Sequence, residues 1–348
     1  IAGWQWDRAQ SNLYVAARTA ERLVQDLAGT LRNVEGVRLE VIARILDQAQ
    51  ELHDDLTKGG ENNRDLQWSR GLLEGAMGDT FLARSDLAAA LERYRAALAI
   101  WERLAAADPG TAELQHNLSA SHNNIGKTLR QLGDLPAALE RFQAGLAIGE
   151  RLVATAPLDE RWQALVAFSR LQIGGVLQQQ GNPQQALEHL HDALVIRERL
   201  AAADPGNAEG QGELAGVHFM IAVVLQAQGN LPAAFEHYQA ALVIRQRLAE
   251  ADPGNTEWQD ALARTHTMIA AVLQALGNLP AAFECYQAGL AIRERLAATD
   301  PNNTNWQRAL AGSLGMVGDV LREQGNNEAA LRYFRRGLDI VQLLVKNT

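Results

Sequence analysis

The sequence predicts an all-α fold, a right-handed superhelical solenoid of stacked antiparallel helix hairpins. Three observations predict it. The loop prolines Pro109, Pro157, Pro205, Pro253 and Pro301 recur at a step of 48 residues. The turn glycines Gly133, Gly181, Gly229, Gly277 and Gly325 keep the same step, and Ser85 holds the place one step earlier. Between these landmarks the apolar residues return at three- and four-residue spacings, the mark of helix faces. A fixed period of this size means supersecondary units that bury their apolar faces on one another.

The stretch 253–300 shows one unit most plainly. Asn255 and Thr256, after Asp252-Pro253-Gly254, offer side-chain oxygens to cap a first helix that runs to Leu276. Gly277 stops that helix, because glycine takes the left-handed conformation at a helix C-terminus without a steric cost. Pro280 sits where a second helix begins, a position that tolerates a missing N–H. The second helix carries Ala282, Phe283, Tyr286, Leu290 and Leu296 on one stripe. Two helices of about 20 residues, at 1.5 Å per residue, make a hairpin roughly 30 Å long.

Columns taken across the units carry more information than any one unit. Gly78, Gly126, Gly174, Ala222, Ala270 and Gly318 share one first-helix position, so a small residue is required there. Ala90, Ala138, Ala186, Ala234, Ala282 and Ala330 share one second-helix position. Tyr94, Phe142, Leu190, Tyr238, Tyr286 and Phe334 lie four residues further on. Small residues let helices approach, and the large one fills the hole beside them. In the second unit the series is Gly126, Leu129, Gly133, Ala138, Phe142 and Gly145, and this pattern resembles the tetratricopeptide repeat. The resemblance covers residues 61–348. The family's usual period is about 34 residues, so each unit of this chain is longer, at the start of its first helix and the end of its second. The long form, with its DPGN loops and the pairs Trp162-Gln163, Trp258-Gln259 and Trp306-Gln307, is similar to repeat arrays of bacterial multidomain proteins.

In chain order, residues 1–60 read as a degenerate helical hairpin that covers the first repeat. Leu13, Leu23, Leu27 and Leu31 mark one helix, and Val41, Ile45, Leu46 and Leu52 the other. Trp4 and Trp6 pack there, stand as a plain exposed start, or mark the interfacial end of an upstream membrane helix. Six units follow, at 61–108, 109–156, 157–204, 205–252, 253–300 and 301–348, about fourteen helices in all with the leading hairpin. The chain of 348 residues has a net charge of −9, which disfavours sequence-independent nucleic-acid binding. Cys285 is the single cysteine, so neither an intrachain disulfide nor a paired-cysteine metal site is expected. No apolar run is long enough to span a bilayer. A cytoplasmic location is expected, with membrane anchoring or export left to any segment upstream of Ile1, since the chain does not begin with methionine.

No catalytic constellation is present: there is no glycine-rich phosphate loop, no GxSxG elbow and no HExxH. The expectation is a protein that is not an enzyme and uses no cofactor, with an enzyme kept only as a remote alternative. His122, His218 and His266 share a column, but successive helices of a stack lie about 10 Å apart, too far for one metal ion, so no metal site is assigned. His189, His191 and His237, on second helices, read as solvated face. Gln67, Gln115, Gln163, Gln211, Gln259 and Gln307 form an unbroken column suited to bridging units or satisfying loop backbone. Arg103, Arg151, Arg199, Arg247 and Arg295, with Glu102, Glu150, Glu198 and Glu294, read as an exposed charged edge.

The family resemblance implies a groove lined by first helices. Carried over residue by residue, it assigns peptide binding to Asn123, Lys127 and Arg130, then Leu171 and Gln178, then Phe219, Val223 and Gln226, then Gln274. The family's arrangement of lysine and asparagine for a terminal carboxylate is not reproduced. Gln178, Gln226 and Gln274 instead form an amide ladder fit for an extended backbone, with Leu171, Phe219 and Val223 taking side chains. The leading expectation is thus a non-enzymatic interaction scaffold for protein or peptide partners. The alternative is a structural protein that assembles with itself end to end, as a dimer, ring or filament. Its surface is Val341, Leu343, Leu344 and Val345, because the last unit replaces the arginines of Ile196-Arg197-Glu198-Arg199-Leu200 with Val341 and Leu343.

Overall fold

The computed structural model describes residues 63–346 and, before them, residues 41, 44–46, 48, 50 and 51. The rest of the hairpin expected over residues 1–60, with Trp4 and Trp6, lies outside the described residues. Leu46, one of its expected apolar positions, is helical and buried. Among the described residues every regular element is a helix.

Twelve helices run through residues 63–346. They are α1 (Arg64–Ala83), α2 (Leu87–Ala107), α3 (Ala112–Gln131), α4 (Leu135–Thr155), α5 (Glu160–Gln179) and α6 (Pro183–Ala203). Then come α7 (Ala208–Ala227), α8 (Leu231–Ala251), α9 (Thr256–Ala275), α10 (Leu279–Thr299), α11 (Thr304–Glu323) and α12 (Asn327–Lys346). Each first helix starts 48 residues after the one before it. The helices form two bodies, one ending at Ile196 and the other starting at Arg197, with the boundary inside α6. In the first body α1 pairs with α2 and α3 with α4, and α2–α3 and α4–α5 stack. In the second, α7 pairs with α8, α9 with α10 and α11 with α12, and α8–α9 and α10–α11 stack.

The turn inside a hairpin is short because two residue types do all that it needs. Gly277 has φ +80°, the left-handed conformation, and ends α9. Its N–H donates to Gln274 O at 2.9 Å, and the next N–H, of Asn278, donates back to Leu273 O at 2.9 Å. Asn278 then caps α10 by accepting the N–H of Ala281 at 3.3 Å. Ser85 keeps the same conformation at φ 64°, which a β-carbon makes costly. First helices are capped in the same manner by Asn63, Asp159, Asn207, Asn255 and Asn303. Thr111 holds the place before α3 without a side-chain cap bond.

The core follows the columns. Ala90, Ala138, Ala186, Ala234 and Ala282 are all 0% exposed. Phe142 lies so close over bare Gly126 that an added β-carbon would sit 2.8 Å from its ring. Leu190 covers Gly174 and Phe334 covers Gly318 in the same way. Where alanine replaces glycine, at Ala222 and Ala270, both partners are tyrosines, Tyr238 and Tyr286, each with its hydroxyl bonded to a glutamine.

The glutamine column closes the gap between hairpins. Gln211, Gln259 and Gln307 donate Nε2–H to Ala201 O, Ala249 O and Ala297 O at 3.2, 2.9 and 3.1 Å. Each thereby satisfies a carbonyl near the C-terminus of the preceding second helix. Gln115 and Gln163 turn instead to the loop carbonyls of Pro109 and Pro157. The charged edge is exposed, apart from Glu294, which is half-buried. Arg295 donates to Gln259 Oε1, and Glu294 pairs with Arg336 at 2.6 Å.

Candidate functional site

The positions assigned to a groove fall into two sets, one in each body. In the first body, Lys127 and Arg130 lie one turn apart on α3 and are half-buried. The Lys127 ammonium stands 6.0 Å from the centre of the Phe168 ring on α5. Burial lowers the pKa of the Arg130 guanidinium. Leu171 and Gln178 are half-buried on α5. Asn123 does not belong to this surface. It is 1% exposed, and its Nδ2 donates to Ser169 Oγ at 3.0 Å. It sits over Gly145, where a β-carbon would meet its Oδ1 at 2.8 Å. Its polar atoms are consumed in joining α3 to α5, so it is a strut and not a ligand donor.

In the second body, Phe219 on α7 packs edge-on against Tyr238, with ring centroids 5.3 Å apart. The Arg245 guanidinium covers the same ring at 4.6 Å. Val223 lies one turn further, half-buried. The Tyr238 hydroxyl donates to Gln226 Oε1 at 2.9 Å, and the Tyr286 hydroxyl donates to Gln274 Oε1 at 3.0 Å. Each tyrosine therefore occupies an amide oxygen and leaves the amide NH2 for other partners. Gln274 Nε2 donates on to Glu323 Oε1 at 2.7 Å. Burial raises the pKa of both tyrosine hydroxyls, which keeps them as protonated donors.

The sequence pattern of the tetratricopeptide repeat matches residues 261–343, and again 167–205 and 220–253. The chain is a tetratricopeptide-repeat protein. A bacterial transcriptional activator domain pattern also matches, over residues 72–174. No curated protein sequence matches the chain. Among solved structures, the apo form of RapI is similar at 17% identity and a TM-score of 0.58, over 92% of this chain and 76% of RapI. BtubC from P. vanneervenii is similar at 20% identity and a TM-score of 0.54, over 75% of this chain and 92% of BtubC. The Rap regulator of plasmid pLS20, solved with the Phr* peptide, is similar at 11% identity and a TM-score of 0.51, over 96% of this chain and 97% of that one. At such identities the likeness is one of fold.

Several residues of this tetratricopeptide-repeat protein matter in ways that column reading missed. Arg245, 9% exposed, donates to Thr265 Oγ1 at 2.7 Å and to Ala261 O at 3.2 Å. Arg293 repeats this with Ser313 Oγ at 2.5 Å, and Arg197 pairs with Glu213 at 3.2 Å. This arginine column ties α6, α8 and α10 to the first helix that follows each. Its regular step was the available signal. His237 and His189, expected on a solvated face, are half-buried, and His191 is exposed. His237 faces His218 on the same hairpin. Among the described residues no group of three or more His, Cys, Asp or Glu gathers as for a metal ion, and no helix is long and apolar enough to cross a membrane.

The surface expected for self-assembly divides. Val341, Leu343 and Val345 are 45%, 60% and 70% exposed, and Leu344 is half-buried. Only Val341 of these lines a cavity of about 410 Å³ walled by residues of α11 and α12. Its other walls are Phe334, Leu338 and Arg308, over a floor of Ala311, Gly312, Gly315 and Gly337.

Proposed function

We propose that this protein is a non-catalytic interaction scaffold, and that the first helices of its second body take an extended peptide. The observation that carries the reading is the pair of tyrosine-held amides, Gln226 and Gln274. An amide whose oxygen is fixed from within keeps N–H groups for a carbonyl outside: both at Gln226, and at Gln274 the one not donated to Glu323 Oε1. Helices α7 and α9 touch, and packed helices lie about 8–10 Å apart, while an extended chain advances about 3.3 Å per residue. The two amides thus meet backbone carbonyls three residues apart, and the apolar surface of Phe219 and Val223 receives a side chain beside the first. The Rap regulator of similar fold, solved with the Phr* peptide, makes a peptide the natural class of partner. In the first body, Lys127 and Arg130 add positive charge and suit acidic residues of a partner.

The test uses Gln226→Glu and Phe219→Ala. Glutamate keeps the acceptor for Tyr238 and removes the outward N–H donors, so the hairpin stays intact. Peptides selected from a displayed random library on the parent chain are measured by fluorescence anisotropy on both. Each substitution weakens the selected peptides at least tenfold. Equal binding by the folded variants, or failure of the parent to enrich any peptide, refutes the reading.

A second reading, self-assembly, is favoured by one specific observation. The column that is Arg197, Arg245 and Arg293 becomes Val341 in the sixth hairpin, beside an apolar cavity. A second copy of the chain offers the same exposed knobs, Leu338 and Val341, to the same small-residue floor, as an isologous contact requires. Sedimentation of the parent shows a concentration-dependent dimer or larger species, and Val341→Arg with Leu343→Arg abolishes it. A parent that stays monomeric at high concentration ends this reading.

A further inference from the structure

His218 on α7 and His237 on α8 face each other across one hairpin. Their Nδ1 atoms are 3.0 Å apart, and the ring centroids 5.3 Å apart with the planes inclined at 41°. Peptide binding makes no use of them. The same two columns hold Glu74 and Arg93 in the first hairpin, an ion pair at 3.3 Å. They hold His122 and Arg141, Arg170 and His189, and His266 and Cys285 in others, so the fourth hairpin alone fills both with imidazole.

We propose that His218 and His237 form a two-nitrogen site for a divalent late first-row cation of tetragonal preference, Cu²⁺ or Ni²⁺. Imidazole is a ligand of choice for these ions. Two nitrogens 3.0 Å apart, each about 2.0–2.1 Å from one ion, subtend about 90–97° at it. That is the angle between neighbouring ligands of a square-planar ion. A tetrahedral ion at the same bond length needs its nitrogens about 3.3–3.4 Å apart. Imidazole binds a metal ion through a ring nitrogen in its neutral form. Without metal, one Nδ1 donates its proton to the other. On binding, that proton moves to Nε2 of its own ring, both Nδ1 lone pairs turn to the ion, and no net proton is released. Water fills the remaining coordination positions.

The test uses the full chain free of any affinity tag, with CuCl2 as the probe at pH 7.5. One equivalent of Cu²⁺ acquires an electron paramagnetic resonance spectrum with hyperfine splitting from two nitrogens, and the thermal midpoint rises. His218→Asn and His237→Asn each weaken Cu²⁺ at least tenfold and abolish the midpoint shift, whereas His191→Asn, at an exposed position, changes neither. In the parent chain, with no substitution at all, substoichiometric copper broadens the imidazole proton resonances of His218 and His237 before those of any other histidine. Broadening that starts elsewhere, absence of two-nitrogen splitting, or equal affinity in the folded variants overturns the proposal.

Discussion

Replacing Asn123 with alanine separates two roles that sequence columns cannot tell apart. A groove donor, once removed, costs affinity and leaves stability unchanged. A strut, once removed, costs stability. Asn123 and Ser169 are 1% and 0% exposed, and the Asn123 Nδ2–H donates to Ser169 Oγ at 3.0 Å. The single Ser169 hydroxyl proton is shared between Asn123 Oδ1 and Leu165 O, both at 3.2 Å. Asn123→Ala removes one buried hydrogen bond, worth about 1 kcal/mol. It also opens a void over Gly145, worth about 1 kcal/mol more if about 40 Å³ fails to collapse. Ser169 keeps Leu165 O as a partner, so the expected loss is about 2 kcal/mol. Ser169→Ala is the harsher change, about 2–4 kcal/mol, because it strands the buried amide of Asn123. In the Asn123→Ala background the same serine change costs only about 0.5–1 kcal/mol, a coupling of about 1–3 kcal/mol. Urea unfolding of the four proteins, read by far-ultraviolet circular dichroism, measures the cycle. A loss below about 0.5 kcal/mol for Asn123→Ala, or additivity of the pair, refutes the strut.

Two further outcomes are expected. Ala234, 0% exposed and packed with Ala222, Tyr238, Ile269 and Val272, has no room for leucine. Ala234→Leu costs about 1–3 kcal/mol, and hydrogen exchange shows the lost protection concentrated in α7 to α10, whereas uniform loss through the second body contradicts near-neighbour stacking. Acid acts through the half-buried imidazoles. Burial holds the folded-state pKa of His116, His122, His189 and His266 below the ordinary value, and that of His218 at about 4. Between about pH 6.5 and 4 the unfolded chain then binds more protons than the folded one, so stability falls as pH falls through that window. The urea midpoint drops between pH 7.5 and 5, and a midpoint constant over this range refutes burial of neutral histidine.

Much of the fold was legible because its causes are local. Gly277 and Asn278 end one helix and cap the next with no help from elsewhere. The alternation of Gly126 with Phe142, or Ala222 with Tyr238, announces close helix approach through residue size alone. The candidate site was less legible. Phe219, Val223, Gln226 and Gln274 occupy the first-helix positions that the resemblance implies, yet what readies the two amides is Tyr238 and Tyr286, twelve residues further on. Asn123 stands in the same column as Phe219 but points into the first body.

By itself, then, the sequence determined the repeat step, the helix ends and the columns of small and large residues, since each follows from backbone conformation or side-chain volume within a few residues. Tertiary structure alone decided which polar side chains are spent inside. Glu74 meets Arg93, and His218 meets His237, nineteen residues apart across a hairpin. Arg245 reaches Thr265, and Arg293 reaches Ser313, twenty residues apart between hairpins. Periodicity ranks residues along the stack and is blind to these separations. The rotation of each helix about its own axis decides whether a column points at its partner, at the next hairpin or at water. That rotation is set by how the large side chains settle over the small ones, a property of packed pairs and not of any single position.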